Sequence, residues 1–207
     1  MSEATSELEL PPELAQELES IYTAMANGYD TVATAIGLTC DNCPDNCCDS
    51  YFLHYTYSEW AYLRQGLKEL DPTSLEAIRR RAQEYVEASR SVLAEGRRPQ
   101  IMCPLNEAGR CRLYRHRLII CRSHGVPATL TSPNGSRQRF PGCFRCQEMV
   151  QERYPKTEMA PAMERTELFR LLVLVEQRLL GTGRPHYAKI RLTIADMIVQ
   201  GPPKRHS

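Results

Sequence analysis

The chain has 207 residues and a hydrophobic content of 42%, which suits one folded domain and excludes a chain that is disordered throughout. No apolar stretch approaches the ~20 residues of a membrane-spanning helix, and the acidic start predicts no secretory signal, so we expect a cytoplasmic protein that does not enter the membrane. The net charge of +1 hides an asymmetry, because residues 1–50 hold ten acids and no Lys or Arg, whereas residues 97–146 hold ten arginines and one acid.

The first half of the chain predicts three helices. Apolar residues at three- and four-residue steps indicate an amphipathic helix over 12–36, and this helix and the acidic residues before it form a segment over 1–39. Residues 51–57 are rich in aromatics and predict a short strand or an extended link. A helix capped by Ser58 is expected over 58–70, and another over 72–95.

The second half predicts short elements followed by two longer helices. A short helix is expected over 113–120, and a small β-hairpin over 128–140 that turns at Pro-Asn-Gly. Helices over 160–180 and 187–200 follow. Apolar side chains surround almost the whole of 168–180, which predicts a buried helix, with a homodimer through this helix as the alternative.

Nine cysteines in two short stretches are the most informative feature of the chain. The first stretch holds Cys40, Cys43, Cys47 and Cys48, and the second holds Cys103, Cys111, Cys121, Cys143 and Cys146. Thiolates bind zinc, iron and iron–sulfur clusters. The odd count and the expected cytoplasmic location favour metal over disulfides, with separate reduced cysteines in the core as the third option. We therefore predict all nine as candidate metal ligands.

The spacing of the cysteines indicates one or two metal centres. Cys40-x2-Cys43 and Cys143-x2-Cys146 are pairs in which a short turn directs backbone amides at the sulfurs, and together they can form a four-cysteine zinc site. The other five cysteines are enough for a second four-sulfur centre. Adjacent side chains at 47–48 diverge in extended backbone, so these two cysteines serve two centres, or one of them packs.

Histidines are the alternative ligands. His116 and His124 lie inside the second cysteine stretch, whereas His54, His186 and His206 are weaker candidates. Because cysteines are plentiful, the default role of each histidine is a surface position or a hydrogen bond.

The cysteine blocks resemble the YkgJ-type cysteine-cluster family of zinc- or iron-chelating domains. The resemblance rests on four blocks in order, which are Cys-x2-Cys-x3-Cys-Cys over 40–48, Cys-Pro-Leu over 103–105, Cys-Arg-Leu-Tyr over 111–114 and Arg-Leu-Ile-Ile-Cys-Arg over 117–122. Leu118 stands where the family has proline, and the pair at 143–146 is similar to trailing cysteines in many members. The resemblance covers about half the chain and implies a metal-binding domain over 40–146.

The fold expected from these elements is mostly α. Helices pack around an irregular, metal-pinned, cysteine-rich core that carries the small hairpin. The segment 1–39 precedes the cysteine-cluster domain, and the helices of 147–207 pack on that same domain.

Three functions remain open. The first is a cytoplasmic metal-binding protein that holds zinc or an iron–sulfur centre, with the metal stabilising the fold. The second is a metal-dependent enzyme or redox protein, which the resemblance also implies because the flagellin lysine methylases look like relatives with an iron–sulfur cluster in a similar module. The chain contains no glycine-rich nucleotide fingerprint or P-loop to support catalysis.

Nucleic-acid binding through the arginines of 97–145 is the third function. The same arginines can instead neutralise thiolates and the acidic N-terminal segment, which also explains why acids and bases segregate with the two cysteine stretches. We prefer this neutralising role. The sequence names no substrate and no protein partner.

Overall fold

The computed structural model describes residues 6–41, 43 and 47–204, and helices account for 57% of it. The remaining residues of the predicted segments, 1–5 and 205–207, lie outside the described residues. Seven α-helices occupy the described part, namely α1 (Pro12–Ile36), α2 (Tyr57–Lys68), α3 (Pro72–Ala94), α4 (Ile119–Ser123), α5 (Phe144–Arg153), α6 (Thr166–Leu180) and α7 (Ile194–Gln200). The mostly helical prediction is confirmed.

Two small sheets complete the described fold. They are built from β1 (Asn106–Glu107), β2 (Arg110–Cys111), β3 (Ala128–Thr131), β4 (Arg137–Phe140) and β5 (Met163–Glu164). β1 and β2 form an antiparallel pair, and β3 lies between β4, which is antiparallel to it, and β5, which is parallel. The β3–β4 pair is the hairpin predicted over 128–140. Metal pinning of the irregular core stays a prediction.

Helix α1 forms as predicted and supplies the longest buried face. Proline at position 12 suits the first turn, where a missing N–H costs nothing. The helix ends at Gly37, whose φ of 76° is the left-handed conformation that glycine adopts without strain. Leu18, Met25 and Ile36 are fully buried, and α4 and α6 pack against this face. The helix therefore leads directly into the first cysteine stretch.

Helix α2 begins before the predicted cap. Its N-cap is Thr56, whose hydroxyl accepts a hydrogen bond from the Glu59 N–H. Ser58 lies inside the first turn, and the N–H groups of Ser58 and Tyr57 donate to the Glu176 carboxylate of α6 at 2.8 and 2.9 Å. The prediction of Ser58 as the cap is wrong because a carboxylate from a distant helix satisfies the first turn.

Helix α6 is buried on one side only. Leu172, Val175 and Leu180 are buried, whereas the side chains of Leu171 and Leu174 are 38% and 52% exposed. The prediction of a fully buried helix is wrong, because α1, α2 and β3 cover one side of α6 and leave its other side exposed. A homodimer through the exposed face stays a prediction.

Other differences concern the second half of the chain. Helix α5 was not predicted, and α6 begins at 166 because residues 163–164 pair with the hairpin. Helix α7 is short, since the residues before it are extended and Leu192 bridges to His54. Every helix in the described ranges is too short or too polar to cross a lipid bilayer.

Two apolar clusters form the core, and cysteines lie at the edge of each. One cluster joins α1, α4 and α6, with Cys146 inside it and Cys143 packed against it. The other joins α2, α3 and α7, and Cys103, Cys111 and Cys121 pack against it. The cysteine loops are therefore held on both sides by ordinary helical packing.

Candidate metal centre

Five cysteines line one cavity of about 50 Å³. Four of them come from four separate positions in the chain, and we call them the inner group, which consists of Cys48, Cys103, Cys111 and Cys121; the fifth is Cys47, beside Cys48. Their sulfurs are close enough to influence each other's ionisation. The two cysteine stretches of the sequence thus meet at this cavity.

Short hydrogen-bonded elements position the inner group. Cys48 lies in a 3-10 turn over 47–49, and its carbonyl accepts a hydrogen bond from the Cys103 N–H at 2.9 Å. Cys111 lies on β2 opposite Asn106 of β1. Cys121 lies on α4. Each cysteine is therefore fixed to a different local element, and the elements bring the sulfurs together.

Backbone N–H groups are directed at two of these sulfurs. The Leu105 N–H bonds to the Cys103 sulfur, and the Leu113 N–H bonds to the Cys111 sulfur. Such donors favour the thiolate form, although burial raises the pKa of both thiols. Burial also raises the pKa of Cys121 to about 12, against the opposing charge of Arg117.

Cys48 differs from the other members of the inner group. A hydrogen bond from the Cys47 thiol lowers the pKa of Cys48 to about 6, and Asn106 and Arg117 act in the same direction. The same bond raises the pKa of Cys47, with burial as the next cause. This bond favours the thiolate form of Cys48, so Cys48 should ionise more readily than the other thiols of the inner group.

Two arginines stand beside the inner group. The Arg117 guanidinium lines the cavity and donates to the Cys121 carbonyl. Arg122 donates to the Arg117 carbonyl at 2.6 Å and lies over the Tyr22 ring at 4.4 Å. Positive charge therefore sits where several thiolates would collect.

A buried carboxylate holds the cysteine-bearing helix α4. Glu59 of α2 accepts the Ile119 N–H at 2.7 Å and the Tyr22 hydroxyl at 3.2 Å. Burial raises the pKa of Glu59, and the hydrogen bonds from Ile119, Thr56 and Tyr22 oppose that shift. The position of Cys121 therefore depends on a contact between three helices.

A second group of cysteines lies nearer the surface. We call it the outer group, which consists of Cys40, Cys43 and Cys143. The Cys43 N–H donates to the Cys40 carbonyl at 3.2 Å, and the Tyr29 hydroxyl lies 3.9 Å from the Cys40 sulfur. Cys146, the predicted fourth member, is fully buried in the core. Its backbone N–H nevertheless bonds to the Cys143 sulfur, as expected for a Cys-x2-Cys turn.

Close backbone approach fixes Cys143. Its N–H donates to the Gly125 carbonyl at 3.0 Å. A Cβ added at Gly142, where φ is +88°, would lie 2.5 Å from that same carbonyl oxygen. Glycine at 142 is therefore required for the loop to reach Gly125 and carry Cys143 toward Cys40.

Cys47 lies between the two groups. It bonds to Cys48 of the inner group, and it also interacts with Cys40 of the outer group. That the adjacent cysteines serve two centres, or that one of them only packs, stays a prediction. Among the residues that the structure describes, no three His, Cys, Asp or Glu side chains are already spaced to hold a metal ion.

The histidine that faces the cysteines is one that the sequence ranked low. His54 is 1% exposed, lines the inner cavity, and neither ring nitrogen has a hydrogen-bond partner in the described structure. His116 also lines the cavity and packs on Tyr62 at 4.7 Å, whereas His124 packs on Phe52. His206 lies outside the described residues.

No sequence spacing could have identified His54. Its place in the cavity depends on an isolated antiparallel bridge to Leu192, which lies far along the chain. The N–H and carbonyl of His54 both bond to Leu192, at 2.8 and 3.0 Å. These bonds fix the backbone and leave the ring directed at the cavity.

Comparisons with protein-family models, with curated proteins and with solved structures found no match. The resemblance to the YkgJ-type family therefore stays a prediction that rests on the cysteine blocks.

Proposed function

We propose that this protein binds metal through its cysteine thiolates, as zinc or as an iron–sulfur centre. The inner group carries the proposal, since four thiols from four separate elements line one cavity. A set of sulfur donors is the kind that zinc and iron–sulfur clusters select. The donor set fits such a group in kind, and binding would draw the sulfurs together by side-chain rotation.

The chain contributes more than the four sulfurs. The N–H groups of Leu105 and Leu113 stabilise thiolates at Cys103 and Cys111, and Arg117 offsets their charge. The metal, when bound, supplies a covalent cross-link between segments and either a Lewis acid or an electron store. In its simplest form the proposal is structural, and the free energy of metal binding stabilises the folded state.

The outer group supports a second metal position. Cys40, Cys43 and Cys143 lie together, and Cys47 or Cys146 is within reach as a fourth ligand. This group is closer to solvent than the inner group, because Cys40 is exposed whereas all four members of the inner group are half-buried. We therefore expect its metal to exchange faster.

A metal-dependent enzyme or redox protein is the second candidate function. The observation that favours it is His54, whose two free ring nitrogens face the inner cavity. Burial lowers the pKa of His54 to about 3, so the ring is neutral at pH 7 and presents one donor and one acceptor. A structural site would have little use for such a group.

Paired substitutions test the proposal. Cys121→Ser should remove the metal of the inner group, and Cys43→Ser should remove that of the outer group. Each variant is the control for the other, because Cys43 does not line the inner cavity and its substitution should leave the inner metal in place. If Cys121→Ser keeps the full metal content of the native protein, the inner group is not a metal site.

The enzyme alternative requires a separate readout. His54→Leu keeps the volume of the site and removes both nitrogens. A structural centre predicts unchanged metal content and an unchanged visible spectrum, whereas a His54 contact with the centre or with a metal-bound molecule predicts a shifted spectrum. Equal spectra in the two proteins would argue against the enzyme alternative.

A further inference from the structure

A groove of about 1080 Å³ opens beside the cysteine loops and carries an excess of positive charge. We call it the arginine groove. Four arginines line it, namely Arg97, Arg98, Arg165 and Arg191, against one lining acid, Asp49. Arg97 is also paired with Glu95 outside the lining, so the excess positive charge rests on the other three arginines. Asp49 already accepts a hydrogen bond from Gln100 at 2.8 Å. The net charge of the lining favours an anion.

Arg165 forms the buried end of this charge. Its side chain lines the groove although the residue is only 8% exposed. One nitrogen donates to the Ser123 hydroxyl at 3.2 Å, while Nε has no partner in the described structure. No carboxylate of the described residues lies within ion-pair distance of its guanidinium. A buried cation with an unused donor is costly unless a ligand completes it.

The nearest acid is occupied elsewhere. Glu164 accepts hydrogen bonds from the Thr129 hydroxyl at 2.7 Å and from the Thr166 N–H at 2.9 Å, and it lies 3.6 Å from Arg137. Burial lowers the pKa of Arg165, and the charge of Glu164 raises it by less. The positive charge of Arg165 is therefore available to a ligand in the groove.

Aromatic and apolar side chains supply the rest of the wall. The Phe140 ring lies 4.0 Å from the Arg165 guanidinium carbon and holds its plane. Tyr51, Phe52 and Tyr55 also line the groove, and Tyr55 is 58% exposed. A flat apolar group can stack there while its oxyanion reaches the arginines.

From this arrangement we propose that the arginine groove binds a small organic oxyanion. Its charged group is a phosphate or a carboxylate, and it also carries a flat apolar group. The volume of the groove is at the upper end of the ~300–1,000 Å³ typical of small-molecule sites, so it suits a nucleotide-sized molecule better than an inorganic ion. The single buried guanidinium suits one terminal oxyanion rather than the regular row of phosphates of a polymer.

The position of the groove relates it to the cysteines. Ser50 and Phe52 line both the groove and the inner cavity, and Gly142 joins the groove to the loop of the outer group. A ligand in the groove would therefore lie beside both cysteine groups. The binding site itself needs only the arginines and aromatics, so the inference stands whether or not the metal proposal is correct.

The test uses nuclear magnetic resonance of the Arg Nε–H groups in the purified full-length protein, with its metal content measured in the same samples. The probes are phenyl phosphate, benzoate, adenosine monophosphate, uncharged adenosine, inorganic phosphate and a short single-stranded oligonucleotide. If the natural ligand carries a phosphate, we expect the Arg165 Nε–H signal to shift with phenyl phosphate and with adenosine monophosphate. If it carries a carboxylate, we expect the signal to shift with benzoate. Adenosine should bind more weakly by about tenfold or more.

Substitutions make the site assignment specific. Arg165→Gln should weaken the best probe by about tenfold or more, and Arg98→Gln gives a second reading if the first variant unfolds. Arg170→Gln is the matched control, because this exposed arginine of α6 pairs with Glu167 and lies outside the groove. Equal binding by Arg165→Gln and the native protein would overturn the inference. So would an oligonucleotide that binds best and is weakened equally by all three substitutions.

Discussion

The contact between Glu59 and helix α4 yields the sharpest stability prediction. Glu59→Ala removes the acceptor of the buried Ile119 N–H and of the buried Tyr22 hydroxyl. A buried donor left without a partner costs about 1–3 kcal/mol, so the two together predict a loss of about 2–6 kcal/mol in the free energy of unfolding. Because Ile119 begins the helix that carries Cys121, metal content should also fall.

Urea unfolding of the native protein, Glu59→Ala and Glu59→Gln measures this loss. The Gln side chain keeps one carbonyl oxygen for the Ile119 N–H, so it should cost less than Ala. A loss below about 0.5 kcal/mol for Glu59→Ala, the scatter of ordinary surface substitutions, would refute the role assigned to this carboxylate.

The raised pKa of Glu59 adds a pH dependence with a definite sign. Burial raises its folded-state pKa above the unfolded value, so the protonated form favours folding. Its contribution is present below the unfolded pKa of about 4.3 and is lost as the pH rises through the folded pKa. The stability of the native protein relative to Glu59→Gln should therefore decrease from low to neutral pH. An unchanged difference, or one that increases, contradicts the assignment.

Three further predictions follow from single contacts and from the thiols. Glu176→Ala should lower the free energy of unfolding by about 2–4 kcal/mol, because the Tyr57 and Ser58 N–H groups lose their acceptor. Glu176→Gln should restore part of this loss in thermal unfolding. If Glu176→Ala has a smaller effect than a surface substitution, Glu176 does not cap α2. Gly66→Ala should cost about 1–3 kcal/mol, because the new Cβ would lie 2.5 Å from the His116 ring, and unaltered stability would contradict this packing. Zinc binding to the metal-free inner group should release about three protons near pH 7, one from each thiol with a raised pKa. Calorimetry in buffers of different ionisation enthalpy measures this number. Release of fewer than two protons argues against these ligands.

The fold prediction was correct where the sequence signals for an element lie within that element. Three- and four-residue apolar steps and an N-terminal proline place α1 correctly, and the Pro-Asn-Gly turn places the hairpin. The start of α2 was missed because its first turn bonds to Glu176, which lies more than 100 residues away. The exposure of α6 was missed because composition does not say how many neighbours a helix has.

The candidate site shows the same division. The presence of many thiolate ligands can be predicted from sequence, and so can the Cys-x2-Cys turn that directs an N–H at Cys143. The convergence of Cys48 with Cys103 cannot, because it depends on how separate loops pack between two cores. His54 enters the cavity through its bridge to Leu192, which leaves no local trace in the sequence.

Metal binding by the cysteine groups is measured by purification without air, followed by the visible spectrum and counts of zinc, iron and acid-labile sulfide per chain. We expect one or two thiolate-bound centres: a brown protein with iron and sulfide, or a colourless one with zinc. A colourless protein that contains none of these and folds fully without them would contradict this expectation.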